Sequence, residues 1–417
     1  MRHAAIDQRR RVGAIVVNPG GPGLNGVDMV RTAQLYLPDE ILRRFDIVSW
    51  DPRGVGETKP NIDCIDSYDA AFDGLDTTPD DATQRRRLVD EGQEFARGCE
   101  ERTGAALQDV STNQAARDID AIRRALGEDE ISYFGFSYGA ELGAVWATMY
   151  PDTVRAAVLD GAVDPTADGA ARSMQRAVGF ERAIETYLTA CSEDASCAFH
   201  NGGNAKGAFD TLMGQLDDGA LASQPGRPAV TREIALEAVA EAMYSDGLWE
   251  QLSGALASAQ AGDGSGLLQL WDAYYLRQPD GTWPNTREAG AVITCMDQAE
   301  RPTVAEADTQ MAAIEQAAPR AAPGLVDTHL CGFFPPSEDP RIPITGKGAG
   351  PIVVIGTTGD PATPLAGSSK MADTLEDGRL VTVNANRHTG YGANACVDEV
   401  VNRYLIDLEV PADGTTC

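Results

Sequence analysis

The sequence predicts an α/β protein whose mostly parallel sheet is interrupted by a large helical insertion. Short apolar runs that end in glycine- or acid-containing turns occur before residue 165 and again after residue 345, and such runs are typical of buried parallel strands. Between them, from about residue 166 to 345, helical patterns follow one another and strand patterns are not evident. An apolar fraction of 43% over 417 residues is enough for a sizeable core.

Six apolar runs are predicted to form the sheet, and they cover residues 14–17, 46–50, 131–134, 156–159, 351–355 and 380–383. A helix over 115–126 separates the second strand from the third. Ser111 and Gln114 fit a capping box at its start, and Gly127 suits the position after its end. A further helix is expected after residue 137 and a last one over 397–408. This alternation of strands and helices indicates an α/β sheet.

The helical insertion is predicted to contain helices over residues 170–191, 206–216, 232–261, 267–276 and 304–317. The chain then divides into three parts: 1–165 is the first part of the α/β core, 166–345 is a helical cap, and 346–417 is the second part of the core. The cap is therefore inserted before the last two core strands.

Charge and composition exclude several classes of partner. The chain has 34 Lys and Arg against 63 Asp and Glu, a formal charge of -29, which would repel nucleic acid and anionic lipid. No run approaches the ~20 apolar residues of a membrane span. The cysteines do not form the CxxC pairs typical of zinc sites, and no metal or cofactor is expected.

The eight cysteines predict four disulfides, because their number is even. Since neighbours in sequence make plausible loops, the expected pairs are 64 with 99, 191 with 197, 295 with 331, and 396 with 417. Disulfides belong in an oxidising compartment. We therefore expect a secreted or cell-envelope protein, although residues 1–11 lack a signal peptide and its start is expected upstream of Met1. The alternative is a cytosolic enzyme with buried free thiols.

GFSYG, residues 135–139, is the first motif that suggests chemistry. Ser137 stands between Gly135 and Gly139, after a buried run and before a run of small residues. Glycines at these two positions suit a strained strand-to-helix turn that exposes a nucleophilic hydroxyl. The alternative is an ordinary tight turn.

A nucleophilic serine needs a base, and the base needs an acid that fixes its tautomer. Of the four histidines, only His388 follows a predicted sheet strand, and Asp360 ends the preceding strand. Asp160, after an earlier strand, is a physically possible alternative acid. The chain order Ser137, Asp360, His388 is that of the α/β-hydrolase fold.

An oxyanion hole would complete the site with two backbone N–H donors. The glycine-rich segment 18–23 follows the first predicted strand, where this fold places one donor. We assign one N–H to Gly21 and the other to Tyr138, the residue after the nucleophile. The alternative is a glycine-rich turn without a catalytic role.

The motifs VVNPGGPG, WDPRGVGET, GFSYGAELGA, VLDGAVDP, ITCMDQ, GTTGDPATP and RHTGYG together resemble the secreted tripeptidyl aminopeptidases and their proline-iminopeptidase relatives. These are serine peptidases with an α/β-hydrolase core and a helical cap. The resemblance covers nearly the whole chain. It implies cleavage at the amino end of short peptides, with Ser137, Asp360 and His388 as the triad and the GGPG turn and Tyr138 as the oxyanion site.

The resemblance also implies a longer amino terminus. Family members carry a signal peptide and one or two strands ahead of the segment that resembles residues 2–4, so the first strands of the core are expected to be missing from 1–165. The alternative is a real truncation, whose exposed sheet edge would threaten folding.

An aminopeptidase needs a carboxylate for the substrate's ammonium group, because burying an unpaired charge is costly. The first candidate is Asp297 in ITCMDQ, followed by Glu237 and Glu241, which lie four apart on one helix face. For each, a solvated carboxylate is the alternative. An esterase with the same triad and a non-catalytic envelope module are the rival functions. The oligomeric state and the number of residues released stay open.

Overall fold

An eight-stranded sheet forms the centre of the protein. The computed structural model describes residues 1–72, 76–79 and 81–417. The strands lie in the order β1-β3-β2-β4-β5-β6-β7-β8, and all neighbours are parallel except β1 and β3. This confirms the predicted sheet and adds two short edge strands, β1 and β8, that were not predicted. The strands are β1 Arg2–His3, β2 Gly13–Asn18, β3 Phe45–Val48, β4 Ile131–Phe136, β5 Val154–Asp160, β6 Ile352–Thr357, β7 Gly378–Val383 and β8 Thr415–Thr416.

Sixteen α-helices lie in the part of the chain that the structure describes. They are α1 Gly26–Arg31, α2 Asp39–Arg44, α3 Tyr68–Phe72, α4 Ala82–Thr103, α5 Thr112–Leu126, α6 Tyr138–Met149, α7 Gly169–Glu193, α8 Ala205–Asp218, α9 Arg232–Met243, α10 Trp249–Gln260, α11 Ser265–Tyr274, α12 Thr286–Asp297, α13 Val304–Ala317, α14 Ala322–Leu325, α15 Leu365–Thr374 and α16 Ala395–Asp407. Short 3₁₀ segments cover Ala33–Leu35, Gly104–Asp109, Pro151–Thr153, Asn201–Gly203, Asp246–Leu248 and Leu330–Phe333.

Helices cover both faces of the sheet, which explains why its strands are apolar on both sides. Along β2, Ala14 and Val16 belong to a core that includes residues of α5, α6 and α15, whereas Ile15 and Val17 belong to a second core that includes residues of α1, α2 and α16. The predicted end of α5 is confirmed, since Gly127 takes the left-handed conformation, but the helix begins at Thr112 and not at the predicted residue 115. The Ser111 hydroxyl accepts the Gln114 N–H, which is the Ser111 half of the predicted capping box.

Helices α7 to α14 lie between β5 and β6, within the predicted cap. Most of them share a separate core that includes Phe180, Tyr187 and Trp271. Helix α12 differs, because Val292 and Ile293 pack into the core of the sheet. The insertion is therefore joined to the sheet by one of its own helices, and the boundaries at 165 and 345 stay predictions.

The single helix predicted over 232–261 is wrong. The chain forms α9 and α10 there, separated by an irregular segment around Ser245. This segment contacts the loop after β7: Tyr244 O accepts the His388 N–H at 3.0 Å, and the Asp246 N–H donates to Asn386 O at 3.2 Å. Backbone pairing with another loop replaces helical hydrogen bonds at this point and directs the cap toward His388.

Four disulfides join the pairs expected from the sequence: Cys64–Cys99, Cys191–Cys197, Cys295–Cys331 and Cys396–Cys417. These bonds pair all eight cysteines of the sequence. Four disulfides fit an extracellular protein. Among the described residues, no helix has both the length and the apolar character needed to cross a bilayer.

Candidate active site

Ser137 occupies the sharp turn between β4 and α6. Its φ and ψ of 56° and −123° are unusual for a residue with a side chain. A Cβ on Gly135 would lie 2.1 Å from Gly139 O, and a Cβ on Gly139 would lie 2.6 Å from Asn18 O. Only glycines fit beside this turn, which is the physical reason for the GxSxG pattern.

Asp360 and His388 form a close pair on the loops after β6 and β7. Nδ1 of His388 lies 2.9 Å from both carboxylate oxygens of Asp360, which is fully buried. The same carboxylate accepts N–H groups of Ala362, Thr363 and Thr389 at 2.8–3.1 Å. Because the carboxylate accepts from Nδ1, this nitrogen carries the proton and Nε2 is left as an acceptor.

The carboxyl ends of the central strands bring Ser137 and His388 to one region. The Ser137 N–H donates to Asp160 O at 2.7 Å. The next residue, Gly161, lies against the imidazole, since a Cβ there would be 3.3 Å from Cε1 of His388. Asp160, the alternative acid, accepts main-chain N–H groups instead of the imidazole.

The glycine-rich loop after β2 reaches the turn that carries Ser137. A Cβ on Gly20 would lie 3.0 Å from Cβ of Ser137 and 3.2 Å from the Tyr138 nitrogen. Gly21 follows in the same loop. Tyr138 begins α6, where N–H groups have no intrahelical acceptor and the helix dipole favours an anion. The loop that carries Gly21 therefore approaches Ser137 and Tyr138 through Gly20, and the assignment of Gly21 as a donor stays a prediction.

A cavity of about 1140 Å³ opens between α4 and the cap. Its inner wall includes Glu233, Glu237, Tyr274, Tyr275 and Arg287. Ser137, Asp360 and His388 do not line it.

One aromatic ring connects this cavity with the histidine. The Tyr244 ring packs edge-on against His388, at 5.1 Å between centroids, and also contacts Tyr274, at 6.3 Å. The wall also approaches the glycine-rich loop. Arg287 follows Thr286, and the Thr286 carbonyl oxygen lies so near Gly23 of that loop that a Cβ there would be 2.3 Å from it. The inner wall of the cavity thus adjoins both His388 and the glycine-rich loop that is predicted to form the oxyanion hole.

Glu237, one of the predicted anchors, lies on this inner wall. It is 6% exposed and accepts hydrogen bonds from Nε1 of Trp271, at 2.8 Å, and from the Tyr275 hydroxyl. Burial raises the pKa of Glu237 to about 7, although the charge of Arg287 opposes this. A carboxyl group with this environment gains by receiving a cation.

Glu233, one helical turn before Glu237, was not predicted. It is buried in the same wall, accepts a hydrogen bond from the Thr77 hydroxyl at 2.6 Å, and has its pKa raised by burial and by the neighbouring Glu237. The spacing of Glu233, Glu237 and Glu241 along α9 was the signal that could have found it.

The other two predicted anchors lie elsewhere. Glu241 does not line the cavity, although burial raises its pKa. Asp297, at the end of α12, accepts hydrogen bonds from the Thr112 N–H, at 2.7 Å, and from the Thr112 hydroxyl, which also bonds the Tyr138 hydroxyl. Burial raises the pKa of Asp297 to about 7. Its carboxyl group is therefore bound to Thr112, next to the Tyr138 hydroxyl, and does not line the cavity.

Among the described residues, no group of three or more His, Cys, Asp or Glu side chains could hold a metal ion.

Comparisons with known proteins agree with this architecture. A family model described as "alpha/beta hydrolase fold" matches residues 13–201, and one described as "TAP-like protein" matches residues 320–417. Serine protease Hip1 of Mycobacterium tuberculosis (strain ATCC 25618 / H37Rv) is 33% identical over 98% of this chain and 81% of its own length.

Two further relatives carry different names. Carboxylesterase B of the same Mycobacterium tuberculosis strain is 34% identical over 98% of this chain and 80% of its own length. Tripeptidyl aminopeptidase of Streptomyces lividans is 29% identical over 98% of this chain and 77% of its own length. With these matches and this sheet, the chain belongs to the α/β-hydrolase family, in the group of serine hydrolases that includes serine protease Hip1 and the tripeptidyl aminopeptidases.

Proposed function

We propose that this protein is a serine aminopeptidase that releases N-terminal residues or short N-terminal peptides. The observation that carries the proposal is the cavity whose wall holds the buried carboxyl groups of Glu233 and Glu237. Tyr274 of the same wall contacts Tyr244, which packs against His388. A buried carboxyl pair suits the ammonium group of a peptide amino terminus, because each charge compensates the other where water is scarce. The names of the peptidase relatives support the same reaction class.

The proposed reaction is acyl transfer. Nε2 of His388 takes the proton of the Ser137 hydroxyl as its oxygen attacks the scissile carbonyl, and Asp360 stabilises the resulting imidazolium. The N–H groups of Gly21 and Tyr138 hold the oxyanion. His388 returns the proton to the leaving amine, and water then releases the acyl group by the same route.

Of the three predicted anchors, Glu237 is preferred, with Glu233 beside it. Both lie on the wall of the cavity, and an ammonium group beside them would favour their ionised form, which burial otherwise disfavours. Asp297 is less suited, because it does not line the cavity and is hydrogen-bonded to Thr112 instead.

The decisive assay compares a chromogenic tripeptide amide ending in proline or alanine, with a free and with an acetylated amino terminus. We expect rapid hydrolysis of the free peptide alone, abolished in Ser137→Ala. Equal rates on both peptides would contradict the aminopeptidase proposal.

A carboxylesterase is the second candidate, because a relative of similar identity bears that name. It would use the same triad and need no free amino group. Cleavage of simple esters without cleavage of either peptide would favour it.

The four disulfides support a finer proposal for location, namely that the enzyme acts outside the cytoplasm, secreted or held in the cell envelope. Peptides are its proposed partners.

A further inference from the structure

Asp160 contacts the backbone on both sides of the candidate site. It ends β5, between the strands that lead to Ser137 and to Asp360, and it is fully buried. Its main-chain oxygen accepts the Ser137 N–H at 2.7 Å. Its carboxylate accepts the N–H groups of Gly390 and Tyr391, at 2.7 and 2.8 Å. These are the second and third residues after His388.

The segment between these contacts is strained. Thr389 has φ of 65°, a left-handed conformation that is a genuine outlier for a β-branched residue. Such a conformation persists only where its surroundings over-determine it. Two carboxylates hold Thr389 in this conformation: Asp360 accepts the Thr389 N–H, and Asp160 accepts the next two N–H groups.

A carboxylate is an expensive way to hold a loop at this depth. No Lys or Arg forms an ion pair with Asp160 among the described residues, and burial raises its pKa to about 6, against the two N–H donors that lower it. A neutral amide would cost less to bury, but it offers one acceptor oxygen where the loop presents two donors. The two-oxygen geometry is the feature that only the acid supplies.

We propose that Asp160 is a positioning residue for the reaction. Through its main-chain oxygen it fixes the turn of Ser137, and through its carboxylate it fixes the loop that aims His388 at that turn. This inference rests on the proposed function, since it takes Ser137 and His388 as nucleophile and base.

The test uses Asp160→Asn and Asp160→Ser, so that one variant is available if the other fails to fold. For each folded variant, active sites are titrated with a fluorophosphonate, and kcat and KM are measured per titrated site on the free tripeptide amide and on a nitrophenyl ester. Small misplacements of reacting groups cost up to about 10²-fold in rate. We expect kcat and the fluorophosphonate inactivation rate to fall by about 10- to 100-fold, with KM changed less than about twofold.

Asp46→Asn is the matched control. Asp46 is also fully buried and accepts a backbone N–H, from Ala5, but it lies on β3 beside Arg2 and Arg11, away from Ser137. This variant should melt earlier and keep its kcat per titrated site. A kcat and an inactivation rate of both Asp160 variants within about twofold of wild type would overturn the positioning role.

The nitrophenyl ester distinguishes a failure of the aminopeptidase proposal from a failure of the positioning role of Asp160. If the ester is cleaved and the peptide is not, the aminopeptidase proposal fails while Asp160 is still tested. If Ser137 is not labelled in the wild type, the assumed nucleophile is wrong and the positioning role falls with it.

Discussion

Replacing Glu237 with glutamine should remove the preference for a free amino terminus. The carboxyl group of Glu237 lies on the cavity wall, 6% exposed, with Trp271 and Tyr275 as hydrogen-bond donors. Glutamine has nearly the same shape, so the change removes the charge and leaves the wall largely filled, while its single amide oxygen can accept in place of one of the two carboxylate oxygens. A substrate ammonium group would then lack its anionic partner.

The size of the effect follows from the burial of this group. Two unit charges 4 Å apart attract by about 4 kcal/mol at an effective dielectric constant of 20, and part of this is offset by desolvation. Hydrogen bonds to charged groups contribute about 1.5–3 kcal/mol net. We therefore expect kcat/KM for the free peptide to fall by about 10- to 150-fold.

The assay measures kcat/KM for the free and the acetylated tripeptide amide in wild type, Glu237→Gln and Glu241→Gln. Glu241 lies one turn further along α9 and outside the cavity, so its variant should keep the wild-type preference. The acetylated peptide should be cleaved equally slowly by all three. An equal loss on both substrates would show that Glu237 supports the structure only, and an unchanged free-peptide rate would refute its role as anchor.

Three more results are expected. The ratio of kcat/KM for the free over the acetylated peptide should fall as pH drops through about 7, where Glu237 takes up a proton, and a flat ratio would contradict the anchor. Burial raises the pKa of Asp297 to about 7, above its ordinary value of about 4 in the unfolded chain. The contribution of this group to the free energy of unfolding is therefore complete below pH ~4 and is lost as the pH rises through 7. Between pH 6 and pH 8 the melting temperature of the wild type should therefore fall further than that of Asp297→Asn, and an equal fall in both proteins would contradict this. Asp360→Asn, which disturbs the tautomer of His388, should lower kcat by about 10³- to 10⁴-fold while the protein stays folded; a loss below tenfold would refute its role.

The strands and the nucleophile turn could be predicted because their causes are local. Parallel strands buried on both faces leave continuous apolar runs, and the turn at Ser137 admits only glycine at 135 and 139. Helix α4 was not predicted, because Ala82–Thr103 is mostly polar, with only a few buried residues near its end. The break between α9 and α10 comes from contacts with the loop of His388, more than 130 residues away in sequence, which no local pattern reports.

The anchor could be predicted as a carboxyl group but not as a particular residue. Asp297, Glu237 and Glu241 have the same chemistry, and only tertiary structure places one on the wall of the cavity and another beside Thr112. The role of Asp160 is equally non-local, because its partners lie 230 residues further along the chain.

The most direct test of the central claim is to identify the residue that a fluorophosphonate modifies. Intact-mass and peptide mass spectrometry of the labelled protein should locate a single adduct on Ser137. Labelling should be absent in Ser137→Ala and slowed at least about 10³-fold in His388→Ala, since the serine then lacks its base. An adduct on another residue, or labelling of Ser137 at an unchanged rate without His388, would contradict the account.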